Sequence, residues 1–282
     1  MPSLPVRRLT TAALLVLALA PRVWAAEPRR AQSGDQLINW YYGAVYGTGI
    51  YAAGDRKVGI LQLPFSHVLR AGDESRWGVE LKAPVTFGFY DLDLDDVVEG
   101  ELPSSISTLS VLPGIELDIP VLRNWRLRPY AQAGRGWELS GADSALIGTA
   151  GIKSRLTFPV RRGEFMLGNQ LSYAAYQPRD GVTRSLDEFI TGLNFFYPTG
   201  GRIAGRPADL DLHLLHYAYF NRPPFPLVEN VENELRDEVE VGFSVRVRQP
   251  VSFELFELDM VGIAFRAGDN VVGIRLFFGL PC

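Results

Sequence analysis

Three histidines, His67, His213 and His216, are the side chains best suited to general-base chemistry in this chain. An imidazole does such work beside a serine nucleophile or a carboxylate. His216 is followed by Tyr217-Ala218-Tyr219-Phe220-Asn221, and the next serine downstream is Ser244. The surrounding tyrosines point instead to a place in an interfacial aromatic belt. His213 and His216 lie three apart, on opposite faces of a strand, so they do not share a metal. His67 has no evident partner. Asp91, Asp93, Asp95 and Asp96 (DLDLDD) offer oxygen ligands of the kind calcium takes, yet the run lacks the glycine spacing of a calcium loop and reads as a solvated acidic loop. No catalytic, cofactor or metal site is assigned.

A larger set of ionisable residues follows a rule. Glu80, Lys82, Glu116, Asp118, Arg126, Arg128, Lys153, Arg155, Glu238, Glu240, Arg246, Arg248 and Arg275 stand at alternate positions of apolar stretches. In Arg76–Asp91 (RWGVELKAPVTFGFYD) the apolar phase is Trp77, Val79, Leu81, Ala83, Val85, Phe87 and Phe89. Side chains on a strand alternate between faces, so one face is oily and the other carries the charges. If a bilayer is present, each Arg or Lys facing mid-membrane lipid costs ~2–4 kcal/mol, and the charges must face inward. Mixed signs then allow two readings: a narrow pore with selectivity rings, or cross-lumen ion pairs that pack and plug the interior.

The elements that position these residues are strands. Predicted segments are 41–51, 57–70, 76–90, 106–120, 125–139, 145–159, 164–176, 187–197, 208–220, 236–248, 255–266 and 270–280, about twelve in all. Val239, Val241, Phe243, Val245 and Val247 repeat the pattern in one, and Leu109, Val111, Ile115, Leu117 and Ile119 in another. Segments 57–70 and 208–220 alternate poorly, and Pro84 counts against a central strand. No stretch holds helical spacing for more than two turns. Residues 71–75, 121–124 and 160–163 read as tight turns, whereas 91–105, 177–186 and 221–235 read as longer loops. That alternation of short and long suits a transmembrane barrel. It is broken by a long connection at 198–207 on the short side and by short ones at 52–55 and 267–269 on the long side.

The N-terminus has Arg7 and Arg8, the apolar run Leu9–Ala20 and small residues near Ala25, the pattern of a secretory signal peptide over residues 1–25. Residues 26–40 read as a short periplasmic lead-in and 41–282 as the barrel. Removing 1–25 takes out three arginines and no acid, moving the net charge from −4 to −7. An acidic chain is a poor nucleic-acid binder. The single cysteine, Cys282, permits no internal disulfide. Beyond residue 26 no apolar run approaches the ~18 residues of a membrane helix, and only a closed barrel otherwise satisfies every backbone group in hydrocarbon.

The last strand sets Val272, Ile274, Leu276, Phe278 and Leu280 against Gly273, Arg275 and Gly279. Alternation ending in a terminal aromatic resembles the sorting signal of bacterial outer-membrane barrels, although Gly279–Cys282 follow Phe278 here. Taken whole, the chain resembles the solitary autotransporter-type β-barrel domains of Gram-negative outer membranes. The resemblance implies an antiparallel transmembrane barrel without enzymatic activity or cofactor, translocator-like and lacking a passenger. It also implies outer-membrane lipid and the barrel-assembly machinery as partners, the latter through the C-terminal strand. Two other classes compete: a lipid-modifying outer-membrane enzyme of the phospholipase or lipid A deacylase type, and a soluble periplasmic β-barrel binder.

Overall fold

A computed structural model describes residues 46–53, 56–90, 106–139, 144–179, 183–203, 205–220, 237–252, 257–268 and 271–280. Their strands are β1 (Gly49–Ala53), β2 (Arg56–Leu63), β3 (Ser66–Arg70), β4 (Gly78–Lys82), β5 (Val85–Tyr90), β6 (Thr108–Val111), β7 (Gly114–Leu122) and β8 (Trp125–Glu138). The wall continues with β9 (Ser144–Val160), β10 (Gly163–Pro178), β11 (Arg184–Ile203), β12 (Arg206–Tyr219), β13 (Asp237–Ser252), β14 (Glu257–Gly268) and β15 (Val272–Phe278).

Three strands of the wall are each split in two. The breaks fall at Pro64, at Pro84 and at Pro113, between β2 and β3, β4 and β5, and β6 and β7. Proline has no N–H to give the ladder. The breaks also line up: Ala83 N–H donates to Phe65 O (2.8 Å), Leu112 N–H to Pro84 O (3.1 Å) and Ala133 N–H to Pro113 O (3.0 Å). Pro84 thus interrupts the strand without ending it, and the alternation keeps its phase across the gap. Counting each split strand once, the wall has twelve strands, every one antiparallel to its neighbours in sequence. Pairing of β1 with β15 closes the sheet, which therefore has no free edge.

The faces separate cleanly. Phe158, Phe165, Phe195, Leu212, Phe243, Ile263 and Leu276 sit opposite one another across seven successive strands and face outward. Phe243 is 53% exposed and Leu212 51%, values that water alone would make costly over so wide a band. Two aromatics lie over glycines whose side chains are missing for that purpose. A Cβ on Gly273 would stand 2.5 Å from the Tyr51 ring, and one on Gly151 2.8 Å from the Tyr130 hydroxyl.

Several expectations need correction. The stretch 198–207 is no long connection: β11 runs to Ile203 and β12 starts at Arg206, so it extends both strands into an exposed hairpin. The bulge between Pro198 and Arg202 absorbs the irregular PTGG sequence. Strand 208–220 alternates well, because Asp209, Asp211, His213, Leu215, Tyr217 and Tyr219 are buried while Leu212, Leu214 and His216 are exposed. Tyr217 and Tyr219 therefore do not share a belt with His216. Among the described residues the first strand begins at Gly49, with 46–48 outside it, and 41–45 lie outside the described residues. The acidic run 91–96 and the proposed signal peptide lie outside the described residues.

Candidate functional site

The inward phase of β4, β7, β8 and β9 builds a charged wall. The ladder sets like charges opposite each other, Glu80 against Glu116, Arg128 against Lys153 and Arg126 against Arg155. Such pairs repel. Neutralisation comes from the diagonals, where Glu116, 1% exposed, takes Arg128 (2.6 Å), Lys153 (3.1 Å) and Lys82 (3.2 Å). Glu80 takes Arg128 (3.0 Å) and, at 3.8 Å, Lys82. Nearer the end carrying the β7–β8 turn, Arg126 pairs with Asp118 at 2.6 Å.

Across the lumen a second group forms on β12 to β15. Glu240 accepts from Arg275 (3.1 Å) and from the Tyr217 hydroxyl (3.0 Å), and His213 Nε2 stands 3.3 Å away. Arg266 is 1% exposed and ion-paired with Glu238. Its guanidinium lies over the Tyr217 ring (3.7 Å) and the Tyr46 ring (4.3 Å), and it also donates to the Tyr219 hydroxyl. Tyr46 and Tyr219 donate to the two oxygens of Glu238 at 2.9 and 3.2 Å. The carboxylate is thus enclosed by three donors, the condition under which a buried ion pair is tolerated. In a third group Asp209 holds both Arg246 and Arg248 at 3.0 Å, with Arg246 stacked on Phe196.

The thirteen sequence-derived residues therefore fall into separate clusters rather than continuous rings. Two of their partners, Arg266 and Asp209, escaped sequence reading, as did the inward placement of His213, Tyr217 and Tyr219. The signal for some of them is Asp209-Leu210-Asp211-Leu212-His213, a strict alternation obscured by Leu215 and the inward tyrosines. His213 sits between Asp211 (3.6 Å from Nδ1) and Glu240 (3.3 Å from Nε2), with an acid beside each ring nitrogen. His216 is exposed on the outer face, 3.1 Å from Asp237. His67, on β3, shows no ion pair among the described residues.

Between the two groups lies a cavity of about 530 Å³. Glu80, Lys82, Arg128, Lys153, Glu188 and Arg275 are among the residues around it, with Asp259 and Leu280 toward the end where β15 finishes. The other half of the interior is packed with Tyr46, Tyr51, Ile60, Ile147, Leu186 and Tyr219. The polar space thus borders an aromatic core, with Leu186 and Tyr217 belonging to both.

No family model matches the chain, and no curated protein matches it. Among solved structures it is similar to the β domain of the Bordetella autotransporter BrkA, at 10% identity and a TM-score of 0.50. That likeness covers 82% of this chain and 96% of that one. At such identity it shows the fold: an all-β, twelve-stranded antiparallel barrel of the autotransporter β-domain kind.

Proposed function

We propose that this chain is a non-enzymatic outer-membrane β-barrel of the translocator type, exported to the envelope of a Gram-negative bacterium, with a narrow lumen held shut at one end. The observation that carries the reading is the separation of faces: an exposed apolar band outside, paired charges inside. A closed sheet satisfies its backbone internally, which is what hydrocarbon demands. The even strand number puts both ends of the barrel chain on one side, taken as the periplasmic one. Tyr46 and the Arg266 cluster form the closure, so the resting barrel passes little current.

Two measurements test this. The purified protein should migrate faster unheated than boiled in detergent gels, and it should need detergent for release from envelopes. Equal mobility with free release would return the chain to the soluble binders. In planar bilayers the wild type should stay mostly silent, and Tyr46→Ala, folded by the same gel criterion, should show discrete steps. Steady conductance in the wild type would remove the closure from the reading.

A further inference from the structure

The outer face carries a polar interruption within its apolar band. Ser154, Asn169 and Thr191 stand directly opposite one another on β9, β10 and β11. They lie four residues along their strands from Phe158, Phe165 and Phe195, an even step, so all three share the outward face of those aromatics. Their surroundings are apolar: Ile152, Leu171 and Leu193 are 41%, 50% and 44% exposed.

Depth sets these residues apart. On β10, Asn169 is midway between the outward aromatics Phe165 and Tyr173, four residues from each. Four residues at ~3.4 Å, on a strand tilted ~40°, span roughly 10 Å of depth. Asn169 therefore stands near the middle of an apolar band ~25 Å tall. The row satisfies itself only in part. Ser154 accepts from the Trp125 indole N–H at 2.8 Å, and the Thr191 hydroxyl donates to Asn169 Oδ1 at 2.9 Å. Whichever way the Asn169 amide is turned, its other end has no partner among the described residues. An amide end without a partner is costly in hydrocarbon. His216, opposite Thr191 at the far end of the row, has Asp237 beside it.

We infer that this face is the interface of a dimer, in which Asn169 hydrogen-bonds to its counterpart in a second copy of the chain. A two-fold axis along the membrane normal keeps every residue at its own depth. A second copy is thus the partner that sets an amide at mid-membrane opposite this one. A side-chain amide is self-complementary, with a donor end and an acceptor end. Polar side chains that hydrogen-bond across an interface hold membrane segments together where apolar contact does not distinguish protein from lipid. Ile152, Leu171 and Leu193 pack around that contact, and the lone amide among them fixes the register. The inference rests on the membrane reading above and is independent of whether the lumen conducts.

Sedimentation equilibrium of the full chain in density-matched detergent tests it. The wild type should be dimeric, and Asn169→Leu should dissociate about tenfold more readily. Ile263→Ala, on the outer face of β14, should associate like the wild type. With Cys282→Ser as background, Asn169→Cys in vesicles should oxidise to a cross-linked dimer. A wild-type monomer, or a complex with a different membrane protein in place of the second copy, overturns the proposal. So does equal association of wild type and Asn169→Leu, or absence of the cross-link in folded protein. The wild-type result stands even where a variant does not fold. Failure of the membrane reading would appear separately, as equal gel mobility with and without boiling.

Discussion

At the scale of single residues, the Arg266–Glu238 pair shows how a barrel interior holds charge. Removing one member of a buried pair strands the other, at about 3–5 kcal/mol. Glu238→Ala should lower the unfolding free energy in lipid vesicles by that amount. Arg266→Met with Glu238→Leu should cost less than Glu238→Ala alone, because no charge is left uncompensated. A double variant worse than the single one would show that the tyrosine stack, not the pair, carries the stability. Outside the wall, Asp73 in the β3–β4 turn accepts from Ser75 N–H (2.8 Å), from Arg76 N–H (2.9 Å) and from Arg76 Nε (2.7 Å). The Ser75 backbone N–H first, and then the Arg76 guanidinium, hold its carboxyl well below the usual carboxylate range. A depressed folded pKa stabilises the turn above the unfolded value, and that contribution is lost as pH falls through the folded one. An NMR titration should therefore find the turn unchanged between pH 8 and pH 5. An Asp73 midpoint at or above ~3.9 would contradict these hydrogen bonds.

At the scale of elements, the row of prolines is the informative irregularity. Leu112 gives its N–H to Pro84, while its own carbonyl accepts from the Gln132 side chain at 3.3 Å. A side chain thus serves the ladder where proline leaves a gap. Gln132→Leu removes that donor, and an unsatisfied buried carbonyl costs about 1–3 kcal/mol. The same vesicle unfolding assay should register the loss. A neutral result would mean that another donor reaches Leu112. Pro84 was legible as an anomaly in the sequence, but the alignment of three prolines across neighbouring strands was not, since it depends on register. The hairpin at the end of β11 was hidden for a related reason. Its glycines and prolines look like a loop until a bulge lets the pairing resume.

At the scale of the molecule, closure depends on a ladder of four residue pairs, Gly49–Ala52 against Val272–Arg275. Ile50 and Ile274 face each other there, and directly opposed residues lie roughly 4.5–5.5 Å apart, within disulfide reach. With Cys282→Ser as background, Ile50→Cys and Ile274→Cys should oxidise to one intramolecular bridge. The bridged chain should run differently from its reduced form after boiling. Failure to bridge in folded protein would mean that β1 and β15 do not meet. The outer band makes a second demand. Phe243→Arg puts a cation into the apolar row and should cost about 2–4 kcal/mol in vesicles. A cost near zero would mean that the row faces water.

The alternating strands and the sign of each face are written in the chain itself. Period two is local, and it survives any error in the fold. About twelve strands followed from counting those segments, and the inward phase of Glu80, Glu116 or Arg128 followed from the apolar residues beside them. Which residues meet across the lumen depends on the closed sheet. Arg266 reaches Glu238 along the β13–β14 ladder, but it meets Tyr46 only because closure brings the residues before β1 beside β14 and β15.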